Sequence, residues 1–104
     1  MLNQVVLVGR LTGDVTVKEL EGDKKVAYIT VAVPRAYKNK DGIYETDFIP
    51  CVLWDMIAEN TAKYCTKGDL VGVKGRLQSG NNGIELVTEK ITFLSSSNVK
   101  DKED

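Results

Sequence analysis

The sequence predicts an all-β fold: a five-stranded antiparallel Greek-key barrel with one short helix between strands 3 and 4. Three observations predict it. Val26 to Val33 reads as a β-branched strand with two distinct faces. Two hairpin signals, Asp41-Gly42 and Asn81-Asn82-Gly83, join further extended segments. Only Asp55 to Thr66 has good helical spacing, and it falls between the third and fourth strands.

The elements follow in order. Val5-Val6-Leu7-Val8 is a short apolar run ended by Gly9-Arg10, and it reads as a strand buried on both faces. Val15 to Leu20 is a second extended stretch, closed by the turn chemistry of Glu21-Gly22-Asp23. In Val26 to Val33, one face carries Ala27, Ile29, Val31 and Val33, and the other Val26, Tyr28, Thr30 and Ala32. Pro34 stops regular pairing, because it has no amide to donate. Glu45 to Leu53 returns as a strand, and Pro50 inside it predicts an edge or a bulge.

In the helix, Ile57, Ala58, Thr61, Ala62 and Cys65 share one face. Asp55 is its expected N-cap. Gly68 is its expected left-handed stop. Asp69 to Leu77 is the fourth strand, where Gly72 and Gly75 predict a barrel corner or a close backbone approach. Ile84 to Leu94 closes the fold. This order matches the five-stranded OB barrel, in which the helix plugs one end. A generic α+β domain shares the same list of elements.

The bulk numbers set bounds. A chain of 104 residues suits one domain, expected over 1–94, with 95–104 as a short disordered polar tail. No apolar run approaches the roughly 20 residues of a membrane-spanning helix. The first residues lack the pattern of a signal peptide, so a cytoplasmic protein is expected. The two cysteines, Cys51 and Cys65, read as buried reduced thiols, with a disulfide as the alternative.

No histidine and no CxxC pair is present, which removes the usual zinc spacings and histidine acid–base chemistry. No glycine-rich loop has the P-loop ending, and Ser95-Ser96-Ser97 has no base partner. Asp41, Glu45 and Asp47 form an acidic cluster that a nuclease would use for Mg²⁺, but a solvated hairpin explains it more simply. The expectation is no catalytic residue, no metal and no cofactor.

Charge is balanced, with 14 basic against 15 acidic side chains and a net charge of −1. The last ten residues hold two lysines against three acids, so 12 of each sign remain without them. Any basic path for nucleic acid must come from segregated charge or from several subunits together.

Several segments, taken together, resemble the bacterial-type single-stranded DNA-binding proteins, the SSB family. They are Asn3 to Leu11, Val31-Ala32-Val33-Pro34-Arg35, Asp47 to Trp54, Ala58-Glu59-Asn60 and Lys67 to Leu77. They cover nearly all of residues 1–94 in family order. The resemblance implies an OB domain, assembled as a homotetramer, that binds single-stranded DNA in replication, recombination or repair. It implies base stacking on Tyr37, Phe48 and Trp54. It places Arg10, Arg35, Lys38, Lys67, Lys74 and Arg76 where phosphates run.

Every base has a π-face, so aromatic platforms bind any sequence, each adding roughly 1–3 kcal/mol per base. Each assignment has a plainer rival: Phe48 and Trp54 as core, and the basic residues as solvated charges. Tyr28, Tyr64 and Phe93 read as packing or interface residues, and Tyr44 is open.

The chain also departs from the family. Gln78 to Ile84 is a short hairpin without the stacking aromatic that many members carry there. Asp14 is followed by Val15 where the family usually has an acidic-proline step. The end, Lys102-Glu103-Asp104, lacks the hydrophobic tip of the family's long tail, which argues against tail-mediated recruitment of replication and repair partners. A short paralogue, a phage or mobile-element copy, or a trimmed chain would look like this. An OB-type protein-interaction module with little DNA binding is the alternative reading.

Overall fold

The structure, a computed structural model, describes residues 1–96. Its elements are β1 (Val5–Leu11), β2 (Lys18–Leu20), β3 (Lys24–Lys38), β4 (Tyr44–Trp54), α1 (Asp55–Tyr64), β5 (Leu70–Gly80) and β6 (Gly83–Ser95). The sheet runs β1-β5-β6-β4-β3-β2, and β1 also pairs with β3, which closes a five-stranded barrel. This is the OB arrangement. The extended stretch before Leu20 contributes β2, a three-residue arm on the end of β3. All ladders are antiparallel except β4–β6, which is parallel at Cys51↔Leu86 and Val52↔Val87.

Alternation explains the interior. Ala27, Ile29 and Val31 of β3 point inward with Cys51 and Leu53 of β4, Val71 and Val73 of β5, and Leu86 of β6. Ala58 and Cys65 seal one end from the helix side. A second buried group, Val26, Val52 and Val87, lies outside this core on the outer wall of β3, β4 and β6. β1 is not buried on both faces, contrary to what the apolar run Val5 to Val8 predicts. Val5 and Leu7 turn inward, but Val6 and Val8 are exposed, because β1 meets solvent on its outer side.

Two glycines permit closure. A Cβ at Gly9 would lie 2.4 Å from the Ala32 carbonyl oxygen, where β1 crosses from β5 to β3. One at Gly75 would lie 2.0 Å from the Val87 carbonyl oxygen, beside a register shift between Lys74 and Gly75. Gly72 needs no such exemption, since its nearest neighbour would sit at 3.6 Å. Pro34 ends the regular β3–β4 register, although β3 itself continues to Lys38. Pro50 stands where β4 lacks its second partner, one residue before the parallel ladder begins.

The helix is shorter than predicted, ending at Tyr64 rather than Thr66. Asp55 is not its cap: Trp54 is the N-cap residue, and Asp55 is the first helical residue with φ of 51°. The Asp55 Oδ1 instead accepts from the Lys25 amide at 3.0 Å, tying α1 to β3. Gly68 has φ of 92°, but its N–H donates to the Leu11 carbonyl, so it shapes the entry to β5 rather than the helix end. Ser95 belongs to β6, and the rest of the expected tail, from residue 97, lies outside the described residues.

Cys51 and Cys65 are both buried free thiols. Burial pushes Cys51 up to about 12 and Cys65 to about 11, with Asp69 adding to the second.

Candidate nucleic-acid interface

The pleat of β4 sends Ile49, Cys51 and Leu53 inward and Phe48, Pro50, Val52 and Trp54 outward. Phe48 is 63% exposed and Trp54 37%. Neither ring belongs to the barrel interior. They stand at opposite ends of the outward row, six residues apart, or roughly 20 Å along the strand. Tyr37, at the far end of β3, is 67% exposed.

The hairpin that carries Tyr37 is well braced. The Asn39 side chain accepts from the amides of Asp41 and Ile43, and Gly42, with φ of 77°, donates to the Asn39 carbonyl. The turn beside Tyr37 therefore needs little further ordering when a base arrives.

The cationic residues divide. Arg10 sits opposite Ala32, which itself sits opposite Phe48, so all three share the outer face. Its Nη1 donates to the Gly68 carbonyl at 2.9 Å, bringing it beside the loop that holds exposed Lys67. Lys38 lies next to Tyr37, with its Nζ 5.7 Å from the Tyr44 ring centroid. Arg76 shares the outer wall with Val87, donates to the Gln78 side chain at 3.0 Å and has Glu89 3.9 Å from its Nε.

Two residues are placed differently. Arg35 is held by acids: its Nη2 meets Asp47 Oδ1 at 2.9 Å, and its Nη1 meets Glu45 at 3.2 Å. Hydrogen bonds from Arg35 hold the Asp47 carboxyl below its ordinary value. A phosphate reaching Arg35 must compete with two carboxylates. Lys74 pairs with Val6 and with Lys90, which puts it on the other outer sector, formed by β1, β5 and β6.

Glu45 and Asp47 of the acidic cluster are partners of Arg35, and among the described residues no group of side chains is arranged to hold a metal ion. Tyr64 and Phe93 pack together, with ring centroids 6.1 Å apart. Tyr28, which the sequence reads as a packing or interface residue, is 61% exposed on the same outer wall as Trp54. The signal for it was present: in the Val26, Tyr28, Thr30, Ala32 row, the polar Thr30 marks the outward face.

Residues 2–98 match the Single-strand binding protein family. The chain is 52% identical to the single-stranded DNA-binding protein B of Bacillus subtilis (strain 168) over 79 residues, 76% of this chain and 70% of that protein. It is 46% identical to single-stranded DNA-binding protein 3 of Listeria innocua, covering 92% of this chain and 66% of that protein. It is 44% identical to a single-stranded DNA-binding protein of Bacillus cereus, covering 94% of this chain and 63% of that protein. The chain thus spans about two thirds of the length of these relatives. It belongs to the single-strand binding protein family, whose members bind DNA without catalysing a reaction.

Proposed function

We propose that this chain binds single-stranded DNA without regard to sequence. Bases stack on Tyr37, Phe48 and Trp54, while Arg10, Lys38, Lys67 and Arg76 meet phosphates. The observation that carries this reading is the pair of exposed rings on one outward row of a rigid strand. The names of the relatives support it. Unpaired bases offer their flat faces to such rings, whereas a duplex hides them, so single strands are preferred. Arg35 and Lys74 carry less of the phosphate contact, for the reasons of geometry given above. The protein acts by occupancy and uses no cofactor.

We further propose self-association as a homotetramer through the other outer sector. Val8 and Leu94 converge there over side-chain-free Gly72, whose added Cβ would meet Leu94 Cδ1 at 3.6 Å and Val8 Cγ2 at 3.9 Å. Val6 is 69% exposed beside them. An aliphatic patch of this kind, bordered by Lys74 and Lys90, fits a second copy of itself. The biological setting that fits is the cytoplasm, in DNA replication, recombination or repair. No helix among the described residues is long and apolar enough to cross a membrane.

The test uses Trp54, the only tryptophan. Titration with oligo-dT should quench its fluorescence strongly and saturably, and duplex DNA of the same length should not. Unchanged emission, with no shift in a gel, would contradict the proposal and leave a protein-interaction module.

A further inference from the structure

We propose that Tyr28 is a fourth base-stacking platform, holding one nucleotide in the groove between β3 and the β5–β6 hairpin. This rests on the reading that the β3–β4 face carries single-stranded DNA. Tyr28 sits directly opposite Val52 on β4. Its diagonal neighbours are therefore Trp54 on one side and Pro50 on the other, each roughly 7–8 Å away by strand geometry. The buried Val26, Val52 and Val87 give this part of the wall a firm apolar floor. The ring itself is 61% exposed. A large aromatic left in water on a rigid floor, in line with Trp54, presents one flat face to a ligand.

The groove beside it has a cavity volume of about 500 Å³ and is lined by Tyr28, Pro50 and residues 78–85 of the hairpin. That size falls within the roughly 300–1,000 Å³ of pockets that accept small-molecule-sized groups. The hairpin side is rich in amides, from Gln78, Asn81 and Asn82. Such groups donate to and accept from base edges of any kind. Glu85 also lines the groove and disfavours phosphate on its floor. Arg76, bonded to Gln78 at the rim, offers a guanidinium where the backbone would pass. A base inside and a phosphate at the edge is the arrangement these charges favour. The hairpin carries no aromatic between Gln78 and Ile84, so Tyr28 is the only aromatic ring among the described residues lining the groove.

The experiment compares the full chain with Tyr28→Ala, Tyr28→Phe and Trp54→Ala. Binding is followed by polarisation of a labelled oligo-dT of about 16 nucleotides, and folding by thermal melting. Tyr28→Ala should bind about tenfold more weakly, with its melt near that of the parent. Tyr28→Phe keeps the ring and should restore binding to within about twofold of the parent. If Tyr28→Ala binds like the parent while Trp54→Ala is weakened, Tyr28 is no platform and the face assignment survives. If Tyr28→Phe is as weak as Tyr28→Ala, stacking is not what Tyr28 supplies, and the inference is overturned. If the parent itself does not bind, the inference falls together with the function it rests on.

Discussion

The barrel has two exposed apolar sectors, and they differ in kind. The outer wall of β3 and β4 carries rings: Phe48, Trp54 and Tyr28, with Tyr37 at its end. The outer wall of β1, β5 and β6 carries aliphatic side chains, Val6, Val8 and Leu94 around bare Gly72, bordered by Lys74 and Lys90. Rings spaced along a strand make separate flat platforms, which suit bases arriving one at a time. Clustered aliphatics make a continuous surface, which suits another protein surface of the same shape. Both sectors hang on one interior, in which Gly9 and Gly75 let the strands approach closely enough to close the barrel.

The comparison can be broken at several points. The largest effect should come from Gly75→Val. Its Cβ would meet the Val87 backbone oxygen, so the barrel must open, at a cost of about 3 kcal/mol. A lowered melting temperature would show it, with both sectors failing together. Trp54→Ala comes next. It should weaken oligo-dT binding by roughly 1–3 kcal/mol, with no change in mass by light scattering. Val8→Lys should do the reverse: the oligomer falls apart by light scattering, while affinity for a short oligonucleotide stays within about twofold. A Val8→Lys variant that lost binding as severely as Trp54→Ala would erase the division between sectors.

Smaller effects sharpen the electrostatic side. Arg10→Ala should lower the dependence of binding on salt by about 0.7 in log–log slope, the contribution of one phosphate contact on a single strand. The same change at Lys74, on the aliphatic sector, should leave the slope of a short oligonucleotide nearly unaltered. Asp47→Asn should raise affinity by less than about fivefold, since it releases Arg35 from one of its two carboxylates.

The Asp47 pair also has a sign in pH. The Asp47 carboxyl titrates below its ordinary 3.8 when folded, mainly because Arg35 hydrogen-bonds the charged form. Its contribution is full above the ordinary value and is lost as pH falls through the lowered one. The melting difference between parent and Asp47→Asn should therefore be small at neutral pH and shrink further in acid.

Much of this was readable in the residues, and the exceptions share a cause. The Val26–Val33 strand, the single helix and the two hairpins follow from local pattern, because side-chain alternation and turn chemistry act over a few residues. The outward placement of Phe48 and Trp54 follows from the same alternation. What local pattern could not supply is anything set by strands meeting across the barrel. The resemblance places Arg35 near phosphate, and only the β3–β4 hairpin reveals that Asp47 and Glu45 also hold it. The resemblance places Lys74 near phosphate, and only the closed sheet reveals that it lies beside Val6 and Lys90. Asp55 has the chemistry of a cap, but the nearby Lys25 amide takes its carboxylate. Tyr28 was hidden for a related reason: both faces of its strand are partly buried, since Val26 packs on the outer wall as firmly as Val31 packs inside.

The most direct test is photocrosslinking of the full chain to a single-stranded oligonucleotide carrying 5-iodouracil, followed by peptide mapping. The rings at Tyr37, Phe48 and Trp54 should crosslink, and Val6, Val8 and Leu94 should not. Crosslinks confined to the β1 and β6 peptides would contradict this, because DNA would then lie on the aliphatic sector rather than on the rings.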